Sequence, residues 1–457
     1  MLADNRLTDD FATSTLPGET GASSKKYSQI ILVIFALNVI SALLFMRFVN
    51  RPVYDDPYNI RDVHVYASEG FSVATMRVQQ NAPGPTSFLW MAEAVRLLKG
   101  EELLDARIGA LLSWVLLVAG VFAFIRYGNH SEIWYGALLA LLVFPHAVEA
   151  TATVLTEGPA LMFALLGILA WMEFASRLTL SFASVTLGLL GGLSMGVAVT
   201  CRQYNLALLA SAACFALYQF RQRGLDQRER TLWAVAVILS LAVAAVPVLL
   251  LLWVWKGFSS PGMVAAAFYG NWHGVGLNFA KPAIAAFYSL FYLVPLTFPA
   301  MRTVKANLRG RVLLVSLLGG GAAGYFGSFL LQPGPLHTVV QAVSRVPGAG
   351  GVFVGLLATV TIYNAVAVCM LLWEQRARVA ANPAVIFAML TIIFFIAEQF
   401  GVGGNVPFYD RYILQLAPFL GLVAFALLPR LTYPRLAALA LMSAVSHVML
   451  WRYTFGG

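Results

Sequence analysis

Residues 27–49 read YSQIILVIFALNVISALLFMRFV, and Asp55-Asp56-Pro57-Tyr58-Asn59 follows a few residues later. The first stretch supplies the ~20 predominantly apolar residues that an α-helix needs to cross the hydrocarbon core of a bilayer. The second sets two carboxylates at the mouth of that helix, in a chain that otherwise keeps few charges. Asp is a favoured N-cap and Pro a favoured first helical residue, so Asp56 is accounted for as the cap of a following helix. Asp55 is left over, and it is the first candidate for chemistry.

The rest of the chain repeats the apolar stretch. Of 457 residues, 60% are hydrophobic and 11% charged, with a mean hydropathy of +0.77, whereas a soluble domain carries roughly 25% charged residues. Apolar runs fall near 28–49, 106–126, 133–150, 157–175, 182–200, 204–220, 231–255, 282–301, 311–331, 351–373, 382–398, 412–429 and 435–451. They predict an all-α polytopic membrane protein with about 13 transmembrane helices. Residues 1–27, rich in Ser, Thr and Asp and ending on Lys25 and Lys26, read as a disordered cytoplasmic tail. The first span reads as an uncleaved anchor, and residues 28–457 as a single transmembrane domain. Cys201, Cys214 and Cys369 have neither paired nor metal-ligand spacing and read as packing residues.

The net charge of +9 does not indicate nucleic acid, because the basic residues sit in short gaps between apolar runs, as topology signals do. Those gaps are 221–230, 302–311, 376–378 and 430–435, and with the N-terminus inside all of them fall on the cytoplasmic side. The loop 50–105, the Thr156-Glu157 gap, the Arg202-Gln203 corner and the loops 256–281 and 332–350 then share the outer face. So does the stretch from Asn405 to Arg411. Compact loops point to a bacterial inner membrane, with the outer face toward the periplasm.

Within the loop 50–105, a helix after Pro57 would carry Ile60, Val63 and Ala67 on one face and Arg61, His64 and Ser68 on another, ending at Gly70. A second helix is predicted from Thr86 to Lys99, with Phe88, Ala92 and Val95 inward and Gly100 as its stop. A turn, Asn81-Ala82-Pro83-Gly84-Pro85, separates them. Gly191-Gly192 and Gly319-Gly320-Gly321 suit close helix packing, and Trp253, Trp255, Tyr269 and Trp272 suit an interfacial belt. No glycine-lysine phosphate loop, serine elbow or HExxH pattern is present.

An N-terminal span, an outer loop opening on an acidic pair, two interfacial helices and many further spans resemble the GT-C class of integral-membrane glycosyltransferases. Asp55-Asp56-Pro57-Tyr58-Asn59, closing with Tyr66 and Glu69-Gly70, resembles the Asp-Glu-started segment of the dolichyl-phosphate-glucose glucosyltransferases. Arg202-Gln203-Tyr204-Asn205 is similar to the Arg-Gln-Thr-Asn signature of that family. Asp410-Arg411-Tyr412-Ile413 through Pro418 resembles the Arg-Tyr-aliphatic-Pro span start of bacterial members of the wider class. Asp56 stands where Glu is usual, Asn59 where the eukaryotic enzymes carry His, and Tyr204 where Thr is usual. The resemblance therefore indicates the class and leaves the sugar and the acceptor unspecified. It implies a polyprenyl-phosphate-linked sugar donor, a glycan, lipid or protein acceptor, and contact with membrane lipids.

Sugar transfer from a lipid phosphate to a hydroxyl needs a base for the hydroxyl and positive charge for the departing phosphate. Asp55 is the expected base, acting in a single inverting displacement. Phosphate leaves readily, so the paired-carboxylate logic of glycoside hydrolysis does not apply. An arginine at membrane depth costs roughly 2.5–3.5 kcal/mol and needs a partner or a task. Arg202 is therefore the leading phosphate ligand, its planar fork matching phosphate oxygens. Arg411, Lys281 and His273 follow, with His337 behind them. The bland alternatives are that Arg411 pairs with Asp410 and that Lys281 snorkels. Asp56, Glu157 and Tyr58 are expected to support the acceptor. Residues 153, 156 and 157 would share a face if their helix begins early. Glu157, downstream of His146 and Glu149, suits either that role or a first-turn acid before Pro159. With Asp55 it could also hold a divalent cation, Mg or Mn given oxygen-only ligands.

The rival readings are a lipid-linked-oligosaccharide flippase or transporter and an oligosaccharide polymerase. The first would show two similar halves, which the chain lacks. The second typically carries its large outer loop late in the chain.

Overall fold

The computed structural model describes residues 20–127, 133–177, 180–222, 226–262, 278–326, 335–401 and 410–455, and every regular element among them is helical. In order these are α1 (Thr20–Phe48), α2 (Asp56–Glu69), α3 (Val73–Val78), α4 (Pro85–Leu98), α5 (Glu102–Tyr127), α6 (Ile133–Leu142), α7 (Ala147–Ala152), α8 (Glu157–Ser176), α9 (Phe182–Cys201) and α10 (Leu206–Gln222). There follow α11 (Gln227–Trp255), α12 (Ala280–Thr297), α13 (Ala306–Tyr325), α14 (Pro335–Val343), α15 (Ala349–Glu374), α16 (Arg376–Ala380), α17 (Pro383–Glu398), α18 (Ala417–Leu427) and α19 (Tyr433–Phe455). Short 3₁₀ turns cover Gln203–Asn205, Phe298–Thr303 and Asp410–Gln415.

Each predicted apolar run carries a helix, and 8 helices among the described residues are long and apolar enough to cross a membrane. Two runs are interrupted for a local reason. Pro145, without an N–H and blocking the preceding turn, separates α6 from α7 inside 133–150. In 412–429 Pro418 sits in the first turn of α18, so that helix starts only at Ala417 and the residues before it form a 3₁₀ turn. The first helix reaches back to Thr20, so the end of the polar tail is helical rather than disordered. Residues 1–19 of that tail lie outside the described residues.

The bundle packs closely where small residues let backbones approach. α9 lies between α8 and α11, and a Cβ on Gly192 would fall 2.3 Å from the Ser240 carbonyl oxygen of α11. Gly320 of α13 meets α15 in the same way, 2.5 Å from the Gly355 carbonyl. Both glycine runs are therefore packing devices, as their position in apolar spans suggests. Cys201, Cys214 and Cys369 are free thiols.

The outer loop forms its two predicted helices and one more. α2 buries Val63 and half-buries Ile60 and Ala67, while Arg61, His64 and Ser68 are exposed. α4 buries Phe88 and Ala92, and both helices pack on Ala106 and Ala110 of α5. Gly70 ends α2 at φ +75°. The left-handed residue that ends α4 is Lys99, not Gly100, whose N–H is instead held by Asp105 at 2.7 Å. α3 was not expected. Its six residues are started by a reciprocal cap between Ser72 and Thr75. Its end is pinned when Trp255 donates to the Met76 carbonyl at 2.8 Å. Trp255 is therefore buried in the fold and not part of an interfacial belt, although Trp253 is exposed. Tyr269 and Trp272 lie outside the described residues.

The turn 81–85 docks on the corner after α9. Gly84 N–H donates to the Cys201 carbonyl at 3.1 Å, Gln203 donates to the Ala82 carbonyl at 2.7 Å, and the Thr86 and Thr200 hydroxyls lie 2.7 Å apart. A Cβ on Gly84 would sit 1.8 Å from the Thr200 carbonyl oxygen, so only glycine lets the two backbones meet here. Gly84→Ala should cost about 1–3 kcal/mol through forced overpacking, read as a lower unfolding midpoint of the purified protein in detergent. An unchanged midpoint would show that the turn does not rest on this corner.

Candidate active site

Four charged residues from four separate parts of the chain form one string. Asp55 follows Tyr54, which adopts a left-handed backbone at φ +55° and turns the chain into α2. The Asp55 carboxylate accepts from Arg411 Nη2 at 2.6 Å. Arg411, on the 3₁₀ turn before α18, also places Nε 3.6 Å from Glu157 Oε1. Glu157, the first residue of α8, is in turn paired with Arg202. Arg202 sits where α9 ends, its backbone extended at φ −145° and ψ 119°, and Asn205 caps the broken helix by donating to the Ala198 carbonyl at 3.0 Å.

Signs alternate along the string, and Glu157 stands between the two guanidinium groups, both of which approach its Oε1. A single pair at contact distance gains roughly 4 kcal/mol at an effective dielectric near 20, and this offsets desolvation that would otherwise exclude such groups. Arg411, Glu157 and Arg202 are buried, whereas the Asp55 side chain is 32% exposed. One carboxylate thus meets the outside while the others are sealed behind it.

Aromatic rings wall the string. Arg411 lies 4.8 Å from the Tyr54 ring centroid and 5.8 Å from that of Tyr412, and Arg202 lies 5.8 Å from Tyr412 and 6.0 Å from Tyr204. Tyr204 and Tyr412 themselves pack at 4.7 Å. A left-handed non-glycine residue costs about 1–3 kcal/mol, which the cation–π contact with Arg411 helps to offset at Tyr54. Burial raises the Tyr54 phenol well above its ordinary pKa, so it serves as a neutral ring. Thr156 Oγ1, Glu157 Oε2 and Arg202 Nε are buried without a hydrogen-bond partner among the described residues. Buried polar atoms are nearly always bonded, so the string keeps unused polar capacity.

Asp55, not Asp56, stands at the cap position of α2. Asp55 occupies the cap position of α2 through its backbone, accepting from Asn59 N–H at 3.0 Å, with no side-chain cap. Asp56 is not a cap. Its carboxylate is fully buried and accepts from Arg107 Nη2 at 2.6 Å, Val154 N–H at 2.6 Å and Val53 N–H at 3.2 Å. Arg107 also donates to the carbonyls of Val49 and Arg51. The pair therefore fastens the end of α1, the start of α2, α5 and the 153–156 link together. The Asp56 carboxylate is thus held in a buried fastening beneath the string. Residues 153–156 are not helical, so 153, 156 and 157 share no helical face; α7 ends at Ala152 and Val154 is extended enough to bond both Asp56 and Asn59.

The remaining expected residues stand elsewhere. Tyr58 is 57% exposed, and its backbone rather than its phenol is used, accepting from Asn81. Lys281 is buried at the start of α12, a helix that packs on the 410–415 turn, but it is not one of the four charges. His337 pairs with Gln341 on α14. His273 lies outside the described residues. Arg411 is bonded to Asp55 across 356 residues.

Arg107, Tyr54 and the α19 residues behind them were not indicated by any motif. Glu149, fully buried, is 2.8 Å from His146 Nδ1 and accepts from the Tyr453 hydroxyl at 2.7 Å. The Tyr453 ring reaches Tyr54 at 5.9 Å. A third buried carboxylate, on α7, thus holds Tyr453 of the C-terminal helix against the Tyr54 ring beneath Arg411. Asp55 and Glu157 are both engaged by guanidinium groups, and among the described residues no three His, Cys, Asp or Glu side chains gather as a metal site.

No family model and no curated protein matches this sequence. Among solved structures, ArnT from Cupriavidus metallidurans in the apo state is similar at 14% identity over 93% of this chain and 78% of that one, with a TM-score of 0.40. The same protein bound to undecaprenyl phosphate is similar at 16% identity over 94% of this chain and 78% of that one, with a TM-score of 0.39. The oligosaccharyltransferase of Archaeoglobus fulgidus, tethered with an acceptor peptide, is similar at 14% identity over 82% of this chain and 55% of that one, with a TM-score of 0.36.

The unlike environments of the aspartates make a direct prediction. Asp56→Asn breaks a sealed ion pair and should cost about 3–5 kcal/mol. Asp55→Asn should cost much less, because Arg411 retains Glu157. Unfolding midpoints in detergent measure both, and a larger loss for Asp55→Asn would contradict the division of roles.

Proposed function

We propose that this chain is a membrane glycosyltransferase that moves a sugar from a polyprenyl-phosphate donor to a hydroxyl of a glycan, lipid or protein acceptor. The reaction takes place at the non-cytoplasmic face, in a bacterium the periplasmic face of the inner membrane. The observation that carries this reading is the Asp55–Arg411–Glu157–Arg202 string. It sets one half-exposed carboxylate against two guanidinium groups, the two kinds of group that transfer from a lipid phosphate requires.

In the reaction Asp55 accepts the proton of the acceptor hydroxyl while that oxygen attacks the anomeric carbon. The bond from that carbon to the phosphate oxygen breaks, its electron pair leaves with the polyprenyl phosphate, and the sugar inverts. Arg411 stabilises the charge that develops on the phosphate. Before the donor enters, Arg411 is held by Asp55. When the phosphate takes the guanidinium, the carboxylate is released to act on the hydroxyl. Arg202, held deeper by Glu157, keeps Nε for a donor oxygen.

Asp55→Asn should lower transfer by roughly 10²–10⁴-fold in membranes given a polyprenyl-phosphate-linked sugar, with the protein still folded. Near-normal transfer by that variant would remove Asp55 as the base. Arg411→Lys keeps the charge but loses the planar fork, so it should raise KM for the donor more than for the acceptor. An equal effect on both substrates would assign Arg411 a structural role. Movement of a lipid-linked sugar across reconstituted vesicles with no new glycosidic bond would favour the transporter instead.

A further inference from the structure

The fold buries four arginines among the described residues: Arg107, Arg202, Arg411 and Arg435. Three are matched by carboxylates, from Asp56, Glu157 and Asp55. Arg435 is not. Its Nη1 donates to the carbonyls of Leu428 and Arg430, and its guanidinium lies over the Phe425 ring at 4.1 Å. Nε and Nη2 have no hydrogen-bond partner among the described residues. A buried cation without an anion is costly and is ordinarily compensated by something.

Beside it the protein leaves a cavity of about 250 Å³ lined by Lys26, Tyr27, Arg430 and Leu431. A water occupies about 30 Å³, so there is room for a headgroup rather than a single solvent molecule. Tyr27 ties this wall to Arg435: its hydroxyl donates to the Pro429 carbonyl, and its ring packs at 6.0 Å against the Phe425 ring that Arg435 covers. Lys26 and Arg430 are exposed at the rim. From Tyr27 to Val49, where Arg107 holds the other end of α1, the helix rises roughly 33 Å at 1.5 Å per residue. That is close to the thickness of a hydrocarbon core, so the cavity lies at the opposite membrane boundary from the Asp55 site.

We propose that this cavity binds the phosphate of an anionic phospholipid headgroup, with Lys26 and Arg430 gripping its oxygens and Arg435 behind them neutralised by its charge. A lysine and an arginine on a wet rim suit phosphate oxygens. The apolar wall of Tyr27 and Leu431 at the membrane boundary suits a lipid better than a free ion. Basic pockets between membrane helices hold anionic headgroups on this principle. Basic residues that only set topology would have no need of a guanidinium sealed within the fold.

The test uses the purified full-length protein in neutral detergent, with its unfolding midpoint followed as short-chain phosphatidylglycerol, phosphatidylcholine or inorganic phosphate is added. Phosphatidylglycerol should raise the midpoint and the other two should not. Lys26→Ala combined with Arg430→Ala changes only exposed side chains, and should require at least about tenfold more phosphatidylglycerol for the same rise. An undiminished response in the variant would overturn the site. An equal rise with phosphatidylcholine would show that no anion is read, and an equal rise with inorganic phosphate would overturn the lipid as its ligand.

Discussion

Arg411 lies between Asp55 and Glu157, and the arrangement of the outer end of the bundle depends on it. Its guanidinium joins the loop after α1 to the start of α8 in one electrostatic unit, and Glu157 extends that unit to the corner after α9. No member could be buried alone, since a single charge removed from water has no compensation. Together they form an alternating row whose outermost member still meets solvent. That gradient of exposure separates a group able to exchange protons from groups able only to provide a field.

The same rule explains the neighbouring Asp56–Arg107 pair, which has a different consequence. There both carboxylate oxygens are engaged, by the guanidinium and by backbone N–H groups. The result is a rigid fastening beneath the site. Tyr54, strained but clamped between Arg411 and Tyr453, passes that rigidity to the string. At the other end of α1, Arg435 shows what the rule looks like when the described residues supply the cation and not the anion.

Much of this was legible in the sequence because charge is so scarce in it. Asp55, Glu157, Arg202 and Arg411 each stood out as polar residues at the end of an apolar run, and threading the spans by their basic gaps placed all four on one face. Apolar periodicity likewise located α2 and α4 and the faces they bury. What remained hidden depends on three-dimensional partners. Asp56 has the local pattern of a helix cap, yet Arg107, 51 residues away, claims its carboxylate. Trp255 has the pattern of an interfacial residue, yet the unexpected α3 supplies a carbonyl for its indole. Tyr453 braces the site from the last helix, and nothing in its neighbours indicates a distant glutamate.

The most direct test of the string as one catalytic unit is a double-mutant cycle on Asp55 and Arg411, with the transfer rate from a polyprenyl-phosphate-linked sugar as the readout. Residues acting as a unit give strongly non-additive losses. The Asp55→Asn, Arg411→Gln double variant should therefore be no slower than Asp55→Asn alone. Losses that add fully, as for two independent residues, would contradict the central claim.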